Sequence, residues 1–160
     1  MRPAHLIGPT LREWPQRSQS PWGRWLFRLA VGQRLPFFRI LGPRVLELEP
    51  AVCRLLMPKR RRLQRLSGDV QSSALASLCE LAASLVAEVT MPPVMQSAPR
   101  GMTIEYLRRV ESAVTATARL DKREWRDAQT VAVPVSVVDV NSTEVVRAVV
   151  TMHVLPRSGR

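Results

Sequence analysis

One carboxylate stands alone in the longest apolar stretch of the chain. Glu80 lies in the middle of the segment GDVQSSALASLCELAASLVAEV, residues 68–89. No basic residue lies within one helical turn of it, so Glu80 has no partner of the kind that pairs charges on an exposed helix face. An unpaired acid at such a position is a candidate general base that activates water, or a nucleophile. The alternative is an acid that faces a solvent-filled groove or binds a backbone group and does no chemistry.

The start of the same predicted helix supplies hydrogen-bond donors. The N–H groups that a helix leaves free at its first turn belong here to about Gln71, Ser72 and Ser73, and the helix dipole favours negative charge at that end. Such donors can stabilise the oxyanion that forms when a carbonyl carbon is attacked. Ser84, one turn after Glu80, is a candidate for holding the attacking water. Capping and small-residue packing are the alternative roles of the serines.

The two candidate groups are too far apart to act together within one chain. Glu80 follows Ser72 by eight residues, which is about 12 Å along a helix axis. Two chains with antiparallel central helices would bring Glu80 of one chain to the helix start of the other. The spacing therefore predicts a homodimer with two composite sites, and such dimers can pair further into a tetramer.

The elements that position these residues follow from hydrophobic periodicity. Residues 72–89 predict a long helix, with Asp69, Ser72 or Ser73 as its N-cap. Segments 44–50 and 51–58 predict a hairpin before the helix. After a Pro-rich crossing at 90–101, four segments with period-two alternation predict an antiparallel meander. The pattern predicts an α+β domain in which about five to six antiparallel strands wrap around one helix.

The N-terminal region has a different pattern. Residues 1–23 mix Pro, Gly, Ser, Gln and Arg without periodicity and predict an irregular leader. From residue 24 to 41 apolar residues recur at helical intervals, which predicts an extra N-terminal helical segment that Gly42-Pro43 ends. We expect residues 24–160 to form a single domain. Pro134 predicts a bulge or an edge position in its strand, because proline cannot donate to a sheet ladder.

The charge of the chain points to an anionic partner. It has 24 Lys and Arg against 13 Asp and Glu, a net charge of +11. The basic residues Arg60, Arg61 and Arg65 before the helix, and Arg108 and Arg109 after a strand, are candidates for binding the phosphates of a nucleotide cofactor or an acidic protein. A solvated surface is the alternative for each. The strand half has too few aromatic residues for base stacking, so we do not expect nucleic acid as a partner.

The remaining composition restricts the chemistry. The two cysteines, Cys53 and Cys79, are predicted to be small core residues, and neither histidine has a partner at metal-ligand spacing. We therefore expect no metal and no bound cofactor. No apolar run at the N-terminus resembles a secretory signal, so we expect a cytoplasmic protein. The tryptophans and arginines of the leader allow a second hypothesis, docking on an anionic membrane surface.

The order of elements and the segment LSGDVQSSALASLCELAAS resemble the hotdog-fold acyl-CoA thioesterases of the phenylacetic-acid-degradation type, and most closely a DUF4442-like branch. That family places Asn-x-x-Gly-x-x-His-Gly-Gly before an apolar helix, with Asp or Glu nine residues after the His. Gly68 and Glu80 match this pattern, whereas Arg65, Gln71 and Ser72 stand at the Asn, His and Gly positions. The resemblance covers roughly residues 24–157.

The resemblance implies a hotdog fold and the hydrolysis of an acyl thioester. Glu80 would activate water, the helix-terminal N–H groups at Gln71 and Ser72 of the partner subunit would form the oxyanion hole, and coenzyme A or an acyl carrier would be part of the substrate. A non-catalytic acyl-thioester-binding module is the alternative, since Arg65 and the Gln-Ser-Ser segment at 71–73 differ from the family pattern.

Overall fold

The computed structural model describes residues 36–121, 124–125 and 127–157. The predicted leader at 1–23 and the first part of the predicted N-terminal helical segment lie outside the described residues. Along the chain, the elements are α1 (Pro36–Leu41), β1 (Arg44–Glu49), β2 (Val52–Met57), a 3-10 turn (Arg61–Leu63), α2 (Ser72–Thr90), β3 (Met95–Tyr106), β4 (Val114–Arg119), β5 (Gln129–Asp139) and β6 (Glu144–Pro156).

The central helix α2 begins at Ser72, the first residue of the predicted helix. Its N-cap is Gln71, not Asp69, Ser72 or Ser73, and the Gln71 side chain makes no capping hydrogen bond. The Gln71 N–H instead donates to the Leu63 carbonyl oxygen at 2.8 Å. This tertiary hydrogen bond holds the backbone extended at Gln71, and it overrides the local capping preference of the serines.

The other end of α2 is fixed to the hairpin of β1 and β2. The helix runs to Thr90, as the apolar run predicts, and a Pro-Pro pair follows two residues later. The Thr90 hydroxyl donates to the Val86 carbonyl oxygen at 2.5 Å and accepts the Ala51 N–H at 3.0 Å. One hydroxyl therefore satisfies a helix-end carbonyl and a hairpin-turn amide together.

The six strands form one antiparallel sheet in the order β1-β2-β4-β5-β6-β3, and α2 contacts all six of them. This confirms the α+β hotdog architecture, with the sheet wrapped around one long helix. The expected meander is wrong for β3, which pairs with β6 and not with β4. The connection after β3 crosses the start of α2, where the Val110 carbonyl oxygen accepts the Val70 N–H at 2.8 Å. This connection leads to β4, which lies in the other half of the sheet, beside β2.

Two prolines show how the sheet tolerates a missing donor. The expected Pro-rich crossing ends earlier than predicted, because β3 already begins at Met95 and includes Pro99. That proline sits on the edge strand of the sheet, at a register shift between Pro99 and Gly101. Pro134 lies one residue beyond Val135, where the pairing of β4 with β5 ends. At Pro134, β5 therefore has no neighbouring strand on its β4 side.

The core lies between α2 and the inner face of the sheet. The predicted apolar rows of β4, β5 and β6 are buried, and every second residue from Val131 to Val137 is at most 2% exposed. The row on β3 is less covered: Met102 and Ile104 are half-buried and Tyr106 is 46% exposed. The inner face of β3 is partly open because this strand is the last of the sheet and has a neighbour on one side only.

By length and composition, α2 is the one helix among the described residues that could cross a membrane. In this structure ten of its 19 residues are buried against the sheet. A core helix that is covered on most sides has the same composition as a membrane span, so its apolar character follows from packing.

Truncation at the centre of α2 tests this packing. Leu78 is fully buried, so Leu78→Ala should lower the free energy of unfolding by about 2–5 kcal/mol. Leu46→Ala is the matched control, because Leu46 is 48% exposed on the hairpin and its loss should cost about 0.5 kcal/mol or less. Urea unfolding at one protein concentration measures both. Equal losses for the two variants would contradict the core described above.

Candidate active site

The chain between the 3-10 turn and α2 is held by backbone hydrogen bonds. The Arg65 N–H donates to the Asp69 carbonyl oxygen at 2.8 Å, and the Gly68 N–H donates to the Arg65 carbonyl oxygen at 3.0 Å. Gly68 has a φ of +86°, a backbone conformation that suits glycine. With the bonds of Val70 and Gln71 described above, this turn fixes the position of the first turn of α2.

A cavity of about 320 Å³ opens at this end of α2. Its polar side is strongly cationic, since three arginines and one aspartate line it, and its other lining residues are mostly aliphatic. The lining consists of Arg65, Asp69, Val70, Ser72, Leu75, Tyr106, Leu107, Arg108, Arg109 and Val110. The structure therefore brings together Arg65, Arg108, Arg109 and Ser72 from the set that the sequence proposes.

Asp69 supplies the carboxylate of this cavity, and that carboxylate already has a hydrogen-bond donor and a charged neighbour. It is buried, accepts a short hydrogen bond from the Ser67 hydroxyl, and lies 4.0 Å from the Arg109 guanidinium. The Ser67 hydrogen bond, with smaller contributions from Arg109 and Arg65, lowers the pKa of Asp69 below its usual value. A carboxylate held in this way is a weak base, so its role is to orient Arg109 and the turn.

Ser72 is held from two sides. Nη2 of Arg65 donates to Ser72 Oγ at 3.1 Å, and the Tyr106 hydroxyl donates to the Ser72 carbonyl oxygen at 3.2 Å. Burial raises the pKa of Tyr106, and the neighbouring Cys79 raises it further, so Tyr106 stays a neutral donor. Sequence reasoning missed Tyr106 as a site residue. The available signal was its place at the end of an apolar strand row, two residues before Arg108.

The structure corrects the predicted oxyanion donors. The Gln71 N–H is bonded to Leu63, and the Gln71 side-chain amide donates to the Gln64 carbonyl oxygen at 3.3 Å, so neither donor faces the cavity. The Ala74 N–H donates to the Gln71 carbonyl oxygen. The N–H groups of Ser72 and Ser73 lie in the first turn, where a helix offers no backbone acceptor. Of the three residues, Ser72 alone lines the cavity.

Glu80 does not line the cavity. It is exposed on the side of α2 that the sheet leaves open, which we call the open stripe: Ser73, Ser77, Glu80, Ser84 and Glu88. In the single chain the sheet does not cover the Glu80 side chain. Ser84 lies on the same stripe one turn later and is half-buried.

The basic run before α2 divides into two groups. Arg60 donates to the Gly42 carbonyl oxygen at 3.4 Å and packs so closely on Gly42 that a Cβ there would collide with its guanidinium. Arg62 donates to the Arg39 carbonyl oxygen at 3.1 Å. Arg61 is exposed on the 3-10 turn and does not line the cavity. Of this run, only Arg65 reaches the cavity.

Within the described part of the chain, no cluster of three His, Cys, Asp or Glu side chains has a geometry that could hold a metal ion. Both cysteines are buried in the core, and burial raises the pKa of Cys79 to about 12. A thiol held in this neutral form is a weak nucleophile. The cysteines therefore act here as packing residues.

Several solved structures share the fold of this chain. The protein APC5556 is 29% identical, with a TM-score of 0.80 over 94% of this chain and 98% of that one. PA5026 from Pseudomonas aeruginosa, described as a probable thioesterase, is 19% identical, with a TM-score of 0.73 over 81% and 93%. Thioesterase HI1161 from Haemophilus influenzae is 18% identical, with a TM-score of 0.67 over 77% and 85%.

The chain has the hotdog fold of these structures, as the sequence resemblance predicts. It belongs to the family described as domain of unknown function DUF4442, which matches residues 23–154. No match is found among curated proteins. The family name carries no activity, so the function has to be argued from the site.

The role of Asp69 can be tested by pH. Its folded-state pKa lies below the unfolded value, so the ionised form stabilises the fold at neutral pH and this contribution disappears as the pH falls through both values. Asp69→Asn should lower the free energy of unfolding most near pH 7. The difference from the wild type should shrink as the pH falls below about 4. Urea unfolding from pH 3 to pH 7 measures this difference.

Asp121→Asn is the control for the pH series, because Asp121 is exposed at the end of β4. Its effect should be small throughout the series. A pH-independent loss in Asp69→Asn would show that the side chain contributes through packing and not through its charge.

Proposed function

We propose that this protein hydrolyses acyl thioesters. The observation that carries the proposal is the composition of the cavity at the start of α2: Ser72, the first residue of the helix, lines it, whereas its one carboxylate, Asp69, is tied to Ser67 and Arg109. The cavity thus has the groups that polarise a carbonyl and lacks a free base. The description of PA5026 and HI1161 as thioesterases supports the same reaction class.

The missing base is Glu80 of a second copy of the chain. Within one chain, Glu80 lies eight residues after Ser72, about 12 Å along the helix. Two features favour a two-fold dimer in which the helices run antiparallel. The strand β3 leaves one sheet edge unpaired over 12 residues, and exposed edges pair readily with another strand. The open stripe beside it carries small residues that permit close approach of a second helix.

In this dimer the reaction needs no metal and no cofactor other than the coenzyme A of the substrate. Glu80 of one subunit takes a proton from water as the oxygen attacks the thioester carbonyl carbon. The N–H groups of Ser72 and Ser73 of the other subunit stabilise the oxyanion. When the C–S bond breaks, the proton passes to the leaving thiolate. Ser84, one turn from Glu80, is placed to hold the water.

The cationic surroundings of the cavity suit a leaving group that carries phosphates, either coenzyme A or an acidic acyl carrier. We propose that the protein acts in the cytoplasm on such soluble thioesters. Pairing of two dimers into a tetramer and contact of residues 1–23 with a membrane surface are compatible with this activity.

Removal of the proposed base tests the function. Glu80→Gln keeps the size and polarity of the side chain but cannot accept the proton, so thiol release from acyl-coenzyme A should fall by about 100-fold or more. A panel of acyl chain lengths is assayed at several pH values with a thiol reagent. Glu49→Gln is the control, because Glu49 is exposed at the end of β1, far along the chain from the site.

The same assay separates hydrolysis from mere binding. If the wild type releases no thiol from any substrate yet binds acyl-coenzyme A, the chain is a binding module and the proposed hydrolase is wrong. Activity that survives in Glu80→Gln would remove Glu80 from the mechanism.

Complementation tests the composite site. Ser72→Phe fills the cavity in its own chain and leaves Glu80 intact, so it and Glu80→Gln should each be inactive alone. After the two are refolded together in equal amounts, half of the dimers are mixed and each contains one intact site. About a quarter of the wild-type activity should therefore return. No recovery, with mixed dimers demonstrated by mass spectrometry, would contradict a site shared between subunits.

A further inference from the structure

The cavity carries more positive charge than its own carboxylate neutralises. Three guanidinium groups line it against one carboxylate, that of Asp69, which lies 4.0 Å from Arg109 and also interacts with the charge of Arg65. Arg65 donates to a neutral hydroxyl, that of Ser72, and Arg108 is exposed at the rim. The cavity therefore keeps an excess of positive charge beside Arg65 and Arg108. A guanidinium pair of this kind binds carboxylate or phosphate oxygens, often through two parallel hydrogen bonds.

The contact between Arg65 and Ser72 limits which anion can reach these arginines. Arg65 and Arg108 line the cavity together with Ser72, and Nη2 of Arg65 lies 3.1 Å from Ser72 Oγ. If the Ser72 N–H polarises the thioester carbonyl, an anion held by Arg65 therefore lies close to the carbonyl carbon. The pantetheine arm separates the sulfur of coenzyme A from its nearest phosphate by a dozen bonds, roughly 15 Å when extended. The arm is too long for this position, whereas a short acyl chain with a terminal carboxylate fits.

The apolar lining agrees with a short chain. Leu75, Val70 and Val110 line the cavity at the start of α2, and because each is almost fully buried, the aliphatic surface they offer is small. Val70 and Val110 are also joined through their backbones, so this wall is fixed relative to the helix. A few methylene groups can pack there while the distal carboxylate meets Arg65 and Arg108. An uncharged acyl chain would leave the two guanidinium groups without an anionic partner.

We propose that the acyl group of the substrate carries its own carboxylate, so that the preferred substrates are thioesters of short dicarboxylic acids. This inference rests on the proposed thioester hydrolysis and names its substrate class. Arg65 and Arg108 bind the distal carboxylate, Asp69 holds Arg109 beside them, and the first turn of α2 binds the thioester carbonyl. The phosphates of the leaving group are bound elsewhere on the cationic surface.

The test compares matched substrates. Butyryl and succinyl thioesters have the same number of carbons and differ in the terminal carboxylate, and each is prepared both with coenzyme A and with pantetheine, which has no phosphate. For each leaving group, the quantity measured is the ratio of kcat/KM for the succinyl substrate to that for the butyryl substrate. Adipyl and hexanoyl thioesters repeat the comparison with a longer chain. In the wild type, the ratio should exceed one for both leaving groups in at least one pair.

Substitution of the two arginines provides a second test of carboxylate binding. Arg65→Gln and Arg108→Gln should each lower this ratio by about 10-fold or more, because each removes a charged hydrogen bond to the carboxylate. Arg119→Gln is the control: Arg119 is exposed at the end of β4, and the variant makes the same change in net charge without touching the cavity. It should leave the ratio as in the wild type.

Two outcomes would overturn the inference. A loss that appears only with coenzyme A substrates, whatever the acyl group, would assign Arg65 and Arg108 to the phosphates of the leaving group. A wild-type ratio of one or less for every chain length, unchanged in the variants, would show that the cavity does not select an acyl carboxylate.

A binding measurement separates this inference from the proposed hydrolysis. Calorimetric titration of the wild type with free glutarate needs no catalysis and should show saturable binding that Arg108→Gln weakens by about 10-fold or more and Arg119→Gln leaves unchanged. If glutarate binds in this way while no thioester is hydrolysed, the hydrolase proposal fails and the carboxylate site stands. If uncharged thioesters are hydrolysed and glutarate does not bind, the carboxylate site fails and the hydrolase stands.

Discussion

The structure depends on one packing constraint: a 19-residue apolar helix must be covered by a single sheet. The sheet curls around α2 and touches it with all six strands, yet β3 is the last of them and leaves one side of the helix open. The residues on that side are serines and two glutamates, where a larger apolar residue would have exposed its surface to water. The position of Glu80 is thus a consequence of where the sheet ends.

The second organising interaction is electrostatic and lies at the start of the same helix. Asp69 is buried close to Arg65 and Arg109, and its hydrogen bond with Ser67 keeps it ionised. An ionised carboxylate here offsets part of the positive charge of the arginines that line the cavity, while Arg108 stays exposed.

The sequence allowed the helix, the strand rows and the sheet-around-helix arrangement to be predicted, because periods of 3.6 and 2 report directly which faces are buried. It failed where a tertiary contact overrides a local preference. The N-cap at Gln71 depends on Leu63, and the placement of β3 beside β6 depends on Val110 crossing the helix start. Similarly, no periodicity separates Arg65, which lines the cavity, from Arg60, which holds the carbonyl of Gly42.

Hydrogen bonds also fix the C-terminal end of α2. Arg157 donates to the Met95 carbonyl oxygen at 2.7 Å and to Glu88 at 3.2 Å, while Thr90 ties the last turn to the hairpin. Together with the hydrogen bonds around Gln71, these contacts fix the position of both ends of the helix. The helix therefore cannot slide along its axis. A change in the shape of the cavity at its start has to come from exchanged side chains, while the distance between the two helix ends stays constant.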